Sequence, residues 1–97
     1  MAEHASVVRI IRFRPAPERR ADLTTRLKTR LDQIRQLEGC FGAQVCTIQE
    51  EPDVVAVISR WASQSALDQF LSSMTAERAE VAAMSAVPPT TETFVSV

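Results

Sequence analysis

The chain has 97 residues, with 11 basic and 12 acidic side chains and a formal net charge of −1. That length suits one small domain whose own core is modest, so a partner subunit is a common remedy. The near-neutral balance gives no field for gathering nucleic acid or an anionic membrane, and no apolar run approaches the roughly 20 residues of a membrane span.

Met1-Ala2-Glu3-His4-Ala5-Ser6 lacks a basic region followed by an apolar one. No signal peptide is expected, and the location is expected to be cytoplasmic. Val7–Arg14 then alternates as a first strand. One face carries Val7, Arg9, Ile11 and Phe13; the other carries Val8, Ile10, Arg12 and Arg14. Pro15-Ala16-Pro17-Glu18 stops the strand and opens a helix, where a proline's missing N–H has no partner to lose. Glu18 and Asp22 place negative charge near the positive helix end. Leu23, Leu27, Leu31, Ile34 and Leu37 form one apolar stripe, and Gly39 is expected to end the helix as a left-handed cap. The helix is then about 21 residues, roughly 32 Å long.

Phe41–Gln49 is expected as a second strand, Glu50-Glu51-Pro52-Asp53 as a turn, and Val54–Trp61 as a third strand. Ser63 is a candidate N-cap for a second helix with Ala66, Leu67, Phe70, Leu71 and Met74 along its buried face. Ser72-Ser73 is a candidate kink, with Thr75 capping a continuation through Ala79, Ala82, Ala83 and Val87 until Pro88-Pro89 ends it. Thr90–Val97 is rich in β-formers and reads as the last strand.

The order βαββαβ predicts a ferredoxin-like α+β domain over residues 7–97: a four-stranded antiparallel sheet with both helices on one face. Strand three is apolar on both surfaces, with Val55 and Val57 on one and Val54, Ala56 and Ile58 on the other. Val8 and Ile10 extend the second surface. An uncovered face should alternate with polar residues, so a homodimer paired through that face is expected.

Cys40 and Cys46 lie six positions apart with no metal-ligand spacing. An even separation in a strand puts them on one face but about 20 Å apart, so they are read as free thiols. The chain has no tyrosine and no asparagine, and its one histidine is His4. Its two glycines form no phosphate loop. No Cys/His metal cluster is present, and a Ser–His–Asp triad would have to recruit His4.

In element order, in Val7–Phe13, in Leu37-Glu38-Gly39-Cys40, and above all in Val57-Ile58-Ser59-Arg60-Trp61-Ala62-Ser63-Gln64-Ser65-Ala66-Leu67, the chain resembles the antibiotic-biosynthesis monooxygenase family of dimeric α+β barrels. The resemblance implies two sheets packed face to face and a pocket in each subunit between sheet and helices. Family members include cofactor-free oxygenases of anthrone-like polyketides, haem-degrading enzymes and quinol oxygenases. The haem-degrading pattern of Asn, Trp and His falls on Ile11, Phe70 and Glu80, none of which matches. With no imidazole near the pocket, haem degradation is not expected. The anthrone-oxidising pattern of Asn, Trp and Tyr falls on Val57, Trp61 and Leu67, and only the tryptophan survives.

The remaining site candidates follow from the pocket that the resemblance implies. Arg9 is the candidate catalytic group, since a guanidinium beside the substrate can stabilise an enolate or carboxylate; the alternative is that it snorkels to solvent. Trp61 is the candidate stacking wall, or else a core anchor. Ile11, Phe13, Val57, Leu67, Phe70 and Met74 are the candidate substrate-binding residues, with plain core packing as the alternative for Met74. No metal or cofactor is expected. Two functions fit: a cofactor-independent monooxygenase acting on a phenol, quinol or anthrone-like substrate, or a non-catalytic protein that holds a small apolar or aromatic ligand.

Overall fold

The computed structural model describes residues 6–97. His4 and the start of the chain lie outside the described residues. Strand β1 (Val7–Arg14) pairs antiparallel with both β3 (Glu51–Trp61) and β4 (Val87–Val95), and β2 (Cys40–Ile48) pairs with β3. The sheet order is β2-β3-β1-β4, and all pairings are antiparallel. The two central strands are therefore the two whose sequences are apolar on both surfaces. This is the ferredoxin-like α+β arrangement.

Helix α1 (Arg20–Ile34) is preceded by a 3-10 turn at Pro17–Arg19. Its 15 residues fall short of the expected length, because Leu37 and Gly39 lie beyond the C-cap at Arg35. Leu23, Leu27, Leu31 and Ile34 are buried against the sheet, each stabilising the fold by about 1.5–3 kcal/mol relative to exposure. The Arg35 guanidinium donates from Nε and Nη2 to the Ala43 carbonyl at 3.0 and 2.8 Å, tying the helix end to β2. Gly39 does adopt a left-handed conformation, φ +84°, but in the connection to β2. A Cβ there would sit 2.6 Å from the Ala66 Cβ, so the glycine also lets the second helix approach.

The hairpin turn is shorter than expected. Glu51, Pro52 and Asp53 belong to β3, and the irregular register after Thr47 leaves Pro52 without a ladder bond to make. Pro88 and Pro89 likewise begin β4 and do not terminate a helix; β4 is an edge strand, where a missing N–H costs little. Its entry is held by Ala86 N–H donating to the Arg14 carbonyl and by Arg14 N–H donating to Ser85 Oγ, at 2.8 and 2.9 Å.

Ser63 caps α2 (Gln64–Ser73) by accepting from the Ala66 N–H at 3.1 Å. The helix breaks at Met74, φ −120° and ψ 35°, and resumes as α3 (Thr75–Ala82). Ser72, Ser73 and Thr75 turn their hydroxyls back onto carbonyls of α2. Thr75 thus closes the first helix and does not cap the second.

A bulge at Phe41 separates the two cysteines. Cys40 opposes Trp61 and packs on the helix-side core, whereas Cys46 opposes Ala56 on the other surface. Both are free thiols. The earlier expectation of a shared face fails because one inserted residue reverses the alternation.

The helix-free surface carries Val8, Ile10 and Ile58 half-buried, with Phe94 50% exposed across from Val8. Val54 and Ala56 are buried there even within one chain. Arg12 pairs with Glu92, and Arg14 pairs with Glu51 at 3.0 Å, within the chain. Among the described residues no helix is long and apolar enough to cross a membrane.

Candidate functional site

Alternation along β1 turns Arg9, Ile11 and Phe13 toward the helices. Val57 lies across from Ile11 on β3, and Thr91 lies across from it on β4. With α1 packed chiefly over β2 and β3, a cavity of about 370 Å³ opens over β1 and the adjoining β4 residues Pro89 and Thr91. Leu27, Arg30 and Ile34 of α1 form one wall. Phe70 and Met74 at the end of α2 form the back, and Glu77, Arg78 and Val81 of α3 close the remaining side. The break at Met74 redirects the chain so that α3, not a straight extension of α2, covers the opening.

Six of the candidate site residues line this cavity: Arg9, Ile11, Phe13, Val57, Phe70 and Met74. Trp61 and Leu67 do not. Trp61 is wholly buried, its indole N–H donates to Ser59 Oγ at 2.9 Å, and its ring stacks on Phe70 with centroids 5.1 Å apart. Phe70 stands between it and the cavity, so the aromatic wall is Phe70, and Trp61 backs it. Leu67, at 1% exposed, packs in the same core behind that wall.

Arg9 does not snorkel outward. It is 9% exposed and lines the cavity, and no carboxylate of the described residues lies within ion-pair distance of it. Burial first, and then the charge of Arg78, pull its pKa down from the usual guanidinium value. A guanidinium stays charged in proteins regardless, so this is a cation held in an apolar setting at an energetic cost.

Three further charged residues at the site are not apparent from the sequence reading. Arg30 pairs with Glu80, as does Arg26, which binds α1 to α3. The Arg30 Nε is buried without a hydrogen-bond partner among the described residues. Arg78 donates from Nη1 to the Leu71 carbonyl at 2.8 Å, which holds its side chain across the α2–α3 joint. Glu77 is the one carboxylate among the described residues lining the cavity. Spacing did carry a signal: Arg78 follows Phe70 and Met74 at steps of four, on the same stripe. No group of three or more metal-ligating side chains occurs among the described residues. The arrangement can hold a largely apolar ligand and stabilise negative charge on it.

Residues 6–87 match the model of the family described as antibiotic biosynthesis monooxygenase. Among curated proteins nothing matches. Solved structures share the fold. Rv0793 from Mycobacterium tuberculosis is 24% identical with TM-score 0.84, covering 94% of each chain. A conserved protein from Methanosarcina mazei Go1 is 16% identical with TM-score 0.85, covering 96% of this chain and 95% of that one. A putative antibiotic biosynthesis monooxygenase from Deinococcus radiodurans is 16% identical with TM-score 0.83, covering 94% and 92%. With the family match running from β1 to the first residue of β4, this chain belongs to the antibiotic biosynthesis monooxygenase family.

Proposed function

We propose that the protein is a cofactor-independent oxygenase that binds a small phenol, quinol or anthrone-like substrate as its anion, and that it works as a homodimer paired through the helix-free sheet surface. One observation carries the reading: Arg9, buried and without an acidic partner among the described residues, faces an apolar cavity. Stabilising the substrate anion lowers the substrate's pKa, and the anion so formed reduces dioxygen more readily than the neutral substrate does. Phe70 offers the flat wall and Ile11 and Val57 an apolar floor for the ring system. Glu77 takes the proton. For a methylene substrate, two hydrogens leave the carbon and a carbonyl forms there. One atom of dioxygen enters that carbonyl, the other leaves as water, and dioxygen accepts all four electrons.

The test is oxygen uptake with a panel of anthrones and hydroquinones. Uptake by the wild type that Arg9→Met abolishes, with the variant still folded, supports the reading. Uptake that survives the substitution removes Arg9 from the mechanism. A second reading, a binding or accessory protein, is favoured by the poverty of acid–base groups: Glu77 is the one carboxylate, and there is no imidazole, among the described lining residues. Tight binding of apolar compounds with no uptake from any of them selects that reading.

A further inference from the structure

We infer that Arg9 and Arg78 together form an anion subsite, and that the ligand of this cavity is an amphipathic carboxylate: one apolar, preferably flat body bearing a carboxylate. The inference deepens the proposed function by naming a substrate class for the same cavity, but it concerns binding and does not require oxygen chemistry.

Charge is the first ground. Arg9, Arg30, Arg78 and Glu77 are the ionisable residues lining the cavity. Arg30 already faces Glu80 at 3.4 Å. Arg9 and Arg78 have no carboxylate within 4.0 Å among the described residues, and Glu77 forms no ion pair there either. Glu77 offsets one of these two cations and Glu80 is shared between Arg26 and Arg30, so the wall keeps an excess of positive charge that a carboxylate offsets.

Cost is the second. The two guanidiniums are near enough for the charge of Arg78 to disfavour that of Arg9. Guanidinium side chains stay charged in proteins, so the repulsion persists until an anion arrives. A carboxylate accepts from planar guanidiniums in fork geometry, and a buried site strengthens the contact. Placement is the third. Arg9 comes from the sheet and Arg78 from α3, and the Leu71 carbonyl holds one arm of Arg78 at 2.8 Å. The rest of the wall, Ile11, Val57, Phe70 and Met74, is apolar, and about 370 Å³ is room for a small organic acid.

The experiment is calorimetric titration with 2-naphthoate and with its neutral isostere 2-naphthamide, using the wild type, Arg9→Met, Arg78→Met and Arg78→Lys. The wild type is expected to prefer the acid by about tenfold to a hundredfold, the range of a charged hydrogen bond. Arg78→Met removes most of that preference and leaves amide affinity nearly unchanged, whereas Arg78→Lys keeps part of it. Should Arg78→Met fail to fold, Glu77→Gln reads the same balance by removing the opposing charge and raising the preference for acid. Equal affinity for acid and amide overturns the inference. So does failure of both to bind at millimolar concentration, or a preference that neither Arg78→Met nor Glu77→Gln alters. Oxygen uptake from neutral quinols without any acid preference leaves the oxygenase reading standing and removes this one. Acid preference without uptake does the reverse.

Discussion

Arg9→Met should make the protein more stable while disabling its cavity. Arg9 is 9% exposed, faces apolar walls and stands near the charge of Arg78. Methionine is similarly long, unbranched and adaptable, so it fills the space without a cavity or a forced rotamer. The gain is the relief of an unpaired buried cation, and replacements of buried charge by well-packed apolar groups are worth about 1–3 kcal/mol. In a chain of this size each kcal/mol raises the melting temperature by about 4–8 °C. The assay is urea and thermal denaturation at one fixed protein concentration, because association would otherwise shift the midpoint. Arg78→Met in a double-mutant cycle measures the repulsion: the two gains should sum to less than additive by about 0.5–1 kcal/mol. A loss of 1 kcal/mol or more on Arg9→Met would refute the reasoning, since it would mean that the guanidinium is satisfied and serves the fold.

Other outcomes are equally specific. Gly39→Ala should cost about 2–4 kcal/mol, from a left-handed backbone at φ +84° and a Cβ forced to 2.6 Å from that of Ala66; Ala66→Gly in the same chain should recover the steric part in chemical denaturation. Burial raises the Cys40 thiol pKa above 9.0, against smaller opposing contributions from a Gly42 backbone hydrogen bond and the charge of Arg35. The unfolded chain therefore ionises first, the folded state holds more protons between the two values, and stability falls as pH rises through that alkaline window; Cys40→Ser should flatten that limb in pH-dependent denaturation. Ile58→Lys, in the middle of the helix-free surface, should convert a dimer to a monomer in sedimentation velocity, whereas a wild type that sediments as a monomer at high concentration would remove the proposed interface.

Much of the site was readable before the fold was. Alternation along Val7–Arg14 predicts which residues face the helices, because a strand's period of two has no other solution once Phe13 and Val7 must be buried. The spacing of Phe70 and Met74 places them together on one stripe. What failed was depth. Trp61 and Phe70 both belong to the buried side, but periodicity cannot rank two aromatic rings stacked at 5.1 Å, and the larger one lies behind. Arg78 and Glu77 were missed because a charged residue on an apolar stripe is ordinarily a solvated exception, and only the turn at Met74 brings them over β1.

Local chemistry in the chain decides its elements: alternation makes β1, the leucine stripe makes α1, Ser63 starts α2, and glycine meets the left-handed turn at position 39. These outcomes depend on neighbours a few residues away, so they are written in linear order. Tertiary structure alone decides where the prolines of β4 are tolerated, which face each cysteine takes after the Phe41 bulge, and that two arginines 69 positions apart share one cavity. Each of these turns on partners brought together by the closure of the sheet and the packing of α3, and such distances have no period for a sequence to display.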